Sequence, residues 1–189
     1  MNDIIVSLPI LKVLLLTAGK LDARTYLHGI HFEHSPCGVL AVTTDGHRMT
    51  VARIDYGGEE FAPFTADRDM ISALKSRYDV SINCAESIVR IATEHGIIQA
   101  PEIIGAWPDW RRVVPSRFSG KPASYNYDYL GDVGRATKLI GCEHPPLVQS
   151  GEKGAMVHLS PDIIIIIMPI REGQDYVAPT YPPEWLGKN

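Results

Sequence analysis

The sequence predicts an α+β chain in which strands far outnumber helices. Three observations carry this. Short apolar and β-branched stretches bounded by Gly, Pro, Asn or Asp dominate the pattern. Helical periodicity emerges only near residues 8, 67 and 128. The order strand–helix–three strands recurs at each of these places, a period of roughly sixty residues. Each unit buries its sheet and its helix only by laying one on the other, so helices on one face of sheets are expected.

In the first unit Ile4-Ile5-Val6 is a β-branched run. Ser7 offers a cap, Pro9 suits a first helical turn, and a helix is expected over 8–23. Lys12 and Lys20 are its polar points, with Arg24 just after; strands follow at 25–33, 38–43 and 49–55. In the second unit Phe61–Ala66 reads as a strand and Asp67 opens a helix through Tyr78. Met70, Ile71, Leu74 and Tyr78 form its apolar side and Arg68, Ser72 and Lys75 the other. Strands are expected at 80–84, 86–93 and 96–100. The third unit starts at Ala123-Ser124-Tyr125, with a helix over 128–140 and strands at 146–149, 154–159 and 162–168. Tyr129, Leu130, Val133 and Ile140 share one face of that helix, and Arg135 and Lys138 belong to the other. Residues 101–121, rich in proline, tryptophan and arginine, read as a linker that also packs. The stretch 172–189 has three prolines and no periodicity, so an extended tail is expected.

Composition narrows the function classes. With 189 residues, 45% of them hydrophobic, the chain can bury a real core. A net charge of -4 argues against indiscriminate coating of nucleic acid but allows one basic face. Cys37, Cys84 and Cys142 are odd in number and widely spaced, which fits a reducing cytoplasm rather than a disulfide framework. The N-terminal apolar run is broken by Ser7, Pro9 and Lys12 and has no cationic start, so neither a signal peptide nor a membrane span is expected. His28, His31, His34 and Cys37 recur at intervals of three, yet on a strand His28 and His34 share a face while His31 points away, and no second ligand pair completes a metal site. No nucleophile elbow and no glycine-rich phosphate loop occurs. The expectation is a non-enzymatic protein without cofactor or metal.

The polar cluster TTDGHRMT (43–50), after the run Gly38–Val42, then acquires a context. Together with RTYLHGIHFE (24–33), WPDWRRVVP (107–115), YNYDYLGDV (125–133) and IIMPIR (166–171), it resembles the bacterial sliding-clamp family, the beta subunit of DNA polymerase III. Five stretches in the family's order cover most of residues 3–172. The similarity is to that family's second domain followed by the end of its third. It implies a sliding-clamp fold of repeated β-α-β-β-β units, three here. Residues 1–115 would form a complete two-unit domain, 116–172 a one-unit partial domain, and 173–189 a proline-rich tail.

The resemblance further implies a hydrophobic cleft that takes a short extended peptide from polymerases or the clamp loader. Leu27, Thr44, Gly46, His47, Arg48 and Met49 would line it from the first unit, Pro108, Arg112 and Val113 from the junction, and Ile166, Met168, Pro169, Ile170 and Arg171 from the last strand. The residue types suit peptide capture, with Met and Ile as adaptable anchors, Arg for peptide carbonyls or carboxylates, and Gly for close backbone approach. The helices would look toward duplex DNA, with Lys12, Lys20, Arg24, Arg68, Lys75, Arg135 and Lys138 meeting phosphates without reading sequence. The implied function is that of a DNA replication processivity factor, of a kind a phage or mobile element would carry. The alternative is an adaptor that keeps the cleft but does not encircle DNA. Homo-oligomerisation is expected, four chains supplying the twelve units of a ring. The Ile163–Ile167 run is expected to be an exposed edge that a neighbour covers.

Overall fold

The protein is described by a computed structural model over residues 3–20 and 24–171; the expected extended tail lies outside these residues. Among the described residues, eleven strands and three α-helices follow the predicted order, except that no strand forms at 123–125. They are β1 (Ile4–Val6), α1 (Leu8–Thr17), β2 (Gly29–Ser35), β3 (Gly38–Thr44) and β4 (Arg48–Ile54), then β5 (Phe64–Asp67) and α2 (Arg68–Ser72). Next come β6 (Val80–Ala85), β7 (Ile88–Thr93), β8 (Gly96–Pro101), α3 (Tyr127–Ile140), β9 (Leu147–Ser150), β10 (Lys153–Ser160) and β11 (Ile163–Ile167). Two antiparallel sheets result, one of four strands ordered β1-β6-β7-β8 and one of seven ordered β5-β2-β3-β4-β11-β10-β9. The first strand of each of the first two repeats crosses to the other repeat's sheet, which locks the two together.

The three helices share one face of the seven-stranded sheet. α2 lies over β5 and β2, α1 over β3 and β4, and α3 over β10, with α1 packed between α2 and α3. Leu11, Val13 and Leu14 of α1 enter the main core with Ile30, Phe32, Ala41, Ala52, Ile163, Ile165 and Ile167. The opposite face carries a second, smaller core of Val42, Met49, Val51, Met156 and Ile166 beneath Trp107 and Trp110. β11 is therefore covered on both sides, which is why it reads as five consecutive isoleucines instead of an alternating strand. It is also not an edge, contrary to the expectation from sequence: β4 and β10 flank it along its whole length.

Other elements depart from the predicted bounds for local reasons. α1 ends at Thr17, short of 23. α2 stops at Ser72 because the next turn is diverted. The Ser76 hydroxyl and the Arg77 amide both donate to the Glu94 carboxylate, at 2.5 and 2.7 Å, drawing the chain onto the β7–β8 hairpin. Those two bonds hold the Glu94 pKa down at about 2. The third repeat begins without a regular strand at 123–125; there the Ser124 carbonyl accepts from the Ile170 amide at 2.8 Å. α3 forms as predicted, with Asn126 accepting from the Asp128 amide at its start and Gly141 in the left-handed region at its end.

Two expected outcomes follow from the packing. Thr17 on α1 lies 2.7 Å from Thr43 and 2.8 Å from Thr50, a buried hydroxyl cluster between helix and sheet. Thr17→Val leaves the buried Thr50 hydroxyl without its partner, while Thr43 keeps its bond to the Leu14 carbonyl at 2.9 Å, and is expected to cost about 1–3 kcal/mol in denaturant unfolding. His31 stacks on Trp107 with ring centroids 4.8 Å apart and lies 3.1 Å from the Thr65 hydroxyl. Burial pushes its pKa below the usual 6.5, against the opposing pull of Glu33. The neutral ring is the stabilising form, so its contribution is full above 6.5 and is lost as pH falls through the lowered value. Denaturant midpoints followed by tryptophan fluorescence should drop on acidification, and His31→Phe should flatten that drop.

Candidate functional site

The β3–β4 hairpin is wired by its own side chains. Asp45 accepts from the amides of His47 (2.9 Å) and Arg48 (3.0 Å) and from Arg48 Nε (2.8 Å). Thr44 accepts from the Gly46 amide at 3.0 Å and donates to the Arg48 carbonyl at 2.7 Å. Gly46 sits at φ +90°, in the left-handed region that favours glycine, so the turn needs glycine there. Past the hairpin, the Met168 amide donates to the His47 carbonyl at 2.8 Å, which extends the β4–β11 ladder by one step. The chain after β11 is thereby held beside the hairpin.

Across the second face of the sheet runs the junction, turned by a short 3₁₀ segment at Trp110–Val113. Hairpin, junction and end of β11 enclose a cleft of about 210 Å³. Its lining includes ten of the fourteen residues expected there: Leu27, Thr44, Gly46, His47, Arg48, Met49, Pro108, Val113, Ile166 and Met168. Arg112, Pro169, Ile170 and Arg171 are not on it. Arg24, Tyr26, Asp109 and Trp110 are, and sequence reasoning missed them for this site. Trp110 is 9% exposed and its indole N–H has no partner among the described residues. Its signal was available in the Trp-Pro-Asp-Trp run, whose two indoles cap one small core.

Arg48 differs most from its expected part. Its side chain is only 10% exposed and pairs with both Asp45 and Asp132. The guanidinium also lies 4.3 Å from the Tyr129 ring centre. Burial opposes its charge, but the two carboxylates outweigh that and raise its pKa above the ordinary arginine value. Arg48 is thus a tie between the first repeat and α3, with one side on the cleft, and not a free donor for a ligand.

The cations expected to face DNA fall into three groups. Lys12 on α1, Lys20 beyond it, Lys75 after α2 and Lys138 on α3 are exposed. Arg135 is exposed but paired with Asp132. Arg68 is largely covered, its guanidinium donating to the Gly19 carbonyl at 3.2 Å, and Arg24 donates to the Asp45 carbonyl at 3.3 Å on the cleft rim. Helical spacing alone did not separate solvent-facing cations from those recruited by nearby carbonyls. Among the described residues no group of three or more His, Cys, Asp or Glu is arranged to hold a metal ion, and no helix is long and apolar enough to cross a membrane. Of the histidine series, His31 is buried on Trp107 and His34 lies edge-on to Tyr56 and Phe61.

Comparison with known proteins fits this geometry. No protein-family model matches the chain. The Beta sliding clamp of Vibrio cholerae serotype O1 is 31% identical over 105 residues, 52% of this chain and 28% of that protein. The Beta sliding clamp of Haemophilus influenzae is 27% identical over 115 residues, 58% of this chain and 31% of that protein. The match therefore spans less than a third of either relative's length. Among solved structures, the DNA polymerase III subunit beta from Borrelia burgdorferi superposes with a TM-score of 0.75 at 15% identity, over 92% of this chain and 65% of the other. The Caulobacter crescentus pol III beta gives 0.73 at 15%, over 91% and 67%. The Pseudomonas aeruginosa DNA polymerase sliding clamp gives 0.72 at 18%, over 90% and 66%. The chain has the sliding-clamp fold, and over about half its length its sequence is similar to beta sliding clamps.

The tie between repeats can be measured. Asp132→Ala leaves Arg48 with one carboxylate fewer in a covered site, and a loss of about 3 kcal/mol is expected in denaturant unfolding. Arg135→Ala removes only an exposed partner of the same carboxylate and should cost under about 1 kcal/mol.

Proposed function

We propose that this chain is a non-catalytic, sliding-clamp-type processivity factor for a DNA polymerase. Its cleft takes a short extended peptide from the polymerase or its loader, and its helix layer meets duplex DNA through phosphates. Residues 1–115 act as a clamp domain and 116–172 as a partial one. The cleft carries the proposal: three stretches far apart in sequence converge on one apolar hollow at the end of the β4–β11 ladder. Leu27, Met49, Val113, Ile166 and Met168 supply apolar anchoring, while polar groups of the hairpin at its rim suit a peptide backbone. The exposed Lys12, Lys20, Lys75 and Lys138 belong to or follow the three helices on one sheet face, which supports a sequence-blind contact with DNA.

One observation favours the second reading, an adaptor that keeps the cleft without forming a ring. The outer edge of β9, where a neighbour's strand would complete the third repeat, is occupied by the chain itself. The Gly120 amide donates to the Gln149 carbonyl at 3.1 Å, and the Gly151 amide to the Lys121 carbonyl at 3.0 Å.

Two measurements test the proposal. A clamp-binding peptide of a bacterial replicative polymerase should bind the wild-type chain, and Met168→Ala with Val113→Asp should weaken it at least about tenfold, the scale of a lost apolar anchor. Unchanged affinity would contradict the cleft. Retention on closed circular DNA, with loss after linearisation, is expected of a ring; equal behaviour on both forms selects the adaptor. Replacing Lys12, Lys75 and Lys138 by Glu should abolish any retention.

A further inference from the structure

We infer that the hollow at the far end of the β4–β11 ladder is a second docking site, which takes a short partner segment carrying a basic side chain between apolar ones. The cleft lies at the end of the ladder marked by Arg48 and Ile167. The hollow lies at the other end, where Ala52 faces Ile163 beside the β10–β11 turn. Met49 of β4 lines the first and Ile54 the second, about 17 Å apart along an extended strand. The second site therefore stands apart from the cleft and does not depend on what the cleft binds.

The first and third repeats build it together. Ile5, Pro9 and Ile10 come from β1 and the start of α1, and Leu139 and Ile140 from the last turn of α3. The space is about 630 Å³, within the range of sites that enclose a short ligand. Ile5 is 54% exposed between the buried Ile4 and Val6, so the apolar wall is open to solvent. An apolar wall rimmed by carboxylates is the surface pattern of a binding site and not of singly scattered exposed residues.

Charge selects the occupant. Asp55, Asp79 and Asp162 line the hollow against a single cation, Arg53. Asp162 accepts from Arg53 Nε at 2.7 Å and so uses up that cation. The Asp55 side chain is 99% exposed, with Arg53 Nη1 no nearer than 3.8 Å. Asp79 is exposed and makes no ion pair among the described residues. Two carboxylates are left over. The helix ends oppose each other, because α1 starts at the hollow and α3 stops there, and Pro9 leaves the α1 end one amide donor fewer. Lys138, exposed on the last turn of α3, does not line the space. An acidic segment would be repelled. A lysine or arginine lays its aliphatic stem along the isoleucines and its charge beside Asp55 and Asp79, while an apolar neighbour covers Ile5.

The probe is the acetylated, amidated tetrapeptide Leu-Arg-Leu-Arg, titrated into the full chain and followed by isoleucine methyl NMR. Signals of Ile5, Ile10 and Ile140 should shift and saturate, while Ile166 in the cleft stays fixed. Leu-Glu-Leu-Glu should move none of them. Asp55→Asn with Asp79→Asn should weaken the basic peptide about fivefold, the scale of two exposed ion pairs. Ile5→Asn should weaken it as well. These substitutions leave the Arg53–Asp162 pair in place, and circular dichroism melts verify that the variants remain folded. Spermidine, a cation without apolar side chains, should shift the signals only at far higher concentration. No saturable shift at Ile5 and Ile140, shifts at Ile166 in their place, equal binding of the acidic peptide, unchanged affinity in the Asp55→Asn, Asp79→Asn chain, or spermidine matching the basic peptide overturns the inference. A clamp-binding peptide should bind that variant as it binds wild type, because the two sites are too far apart to couple, so failure of the cleft and failure of this site read out separately.

Discussion

The pairing of β11 with β4 is the constraint on which the rest depends. It joins the end of the third repeat to the last strand of the first, across more than a hundred residues of intervening chain. Backbone hydrogen bonds fix the register, and the His47–Met168 bond carries it one step past the strands. Without that ladder neither wall of the cleft would have a fixed place. Because both faces of β11 are covered, a slip of one residue would exchange Ile163, Ile165 and Ile167 for Ile164 and Ile166 without changing residue type. Hydrophobicity alone cannot set the register there. The Arg53–Asp162 pair at one end of the ladder supplies what the isoleucines lack, together with the Arg53 amide donating to the Asp162 carbonyl at 2.7 Å.

The Arg48 arrangement shows how one residue serves stability and site together. A guanidinium this covered must be paired, and Asp45 and Asp132 come from two different repeats. Their convergence fixes the hairpin against α3, and Tyr129 closes over the planar group while His47 stacks on the same ring at 6.4 Å. The cleft's polar rim is thus fixed by the fold itself. Preorganisation of that kind would lower the ordering cost of the peptide binding proposed above.

Much of this was legible in the sequence. The threefold recurrence set out the element order, because helix and strand periods are read from adjacent apolar residues. The cleft stretches were legible through resemblance, since Asp45-Gly46-His47-Arg48 and the Trp-Pro-Asp-Trp junction are unusual runs. Roles set by distant partners were not. Arg68 looks like a surface cation until the Gly19 carbonyl is beside it, and α2 looks like a three-turn helix until Glu94 captures Ser76 and Arg77. The isoleucine run looked like a hazard because a sequence does not say which strand will be central. The lining of β9 by Gly120 and Lys121 was invisible, since those residues have no strand pattern of their own.

Methyl NMR of the methionines, during titration with a clamp-binding peptide, tests the central claim most directly. Met49 on β4 and Met168 just past β11 line the cleft, whereas Met70 packs against the main core from α2. The account predicts that the Met49 and Met168 signals shift together and saturate at one peptide per chain while Met70 stays fixed. Shifts at Met70 with Met49 and Met168 unmoved would contradict it.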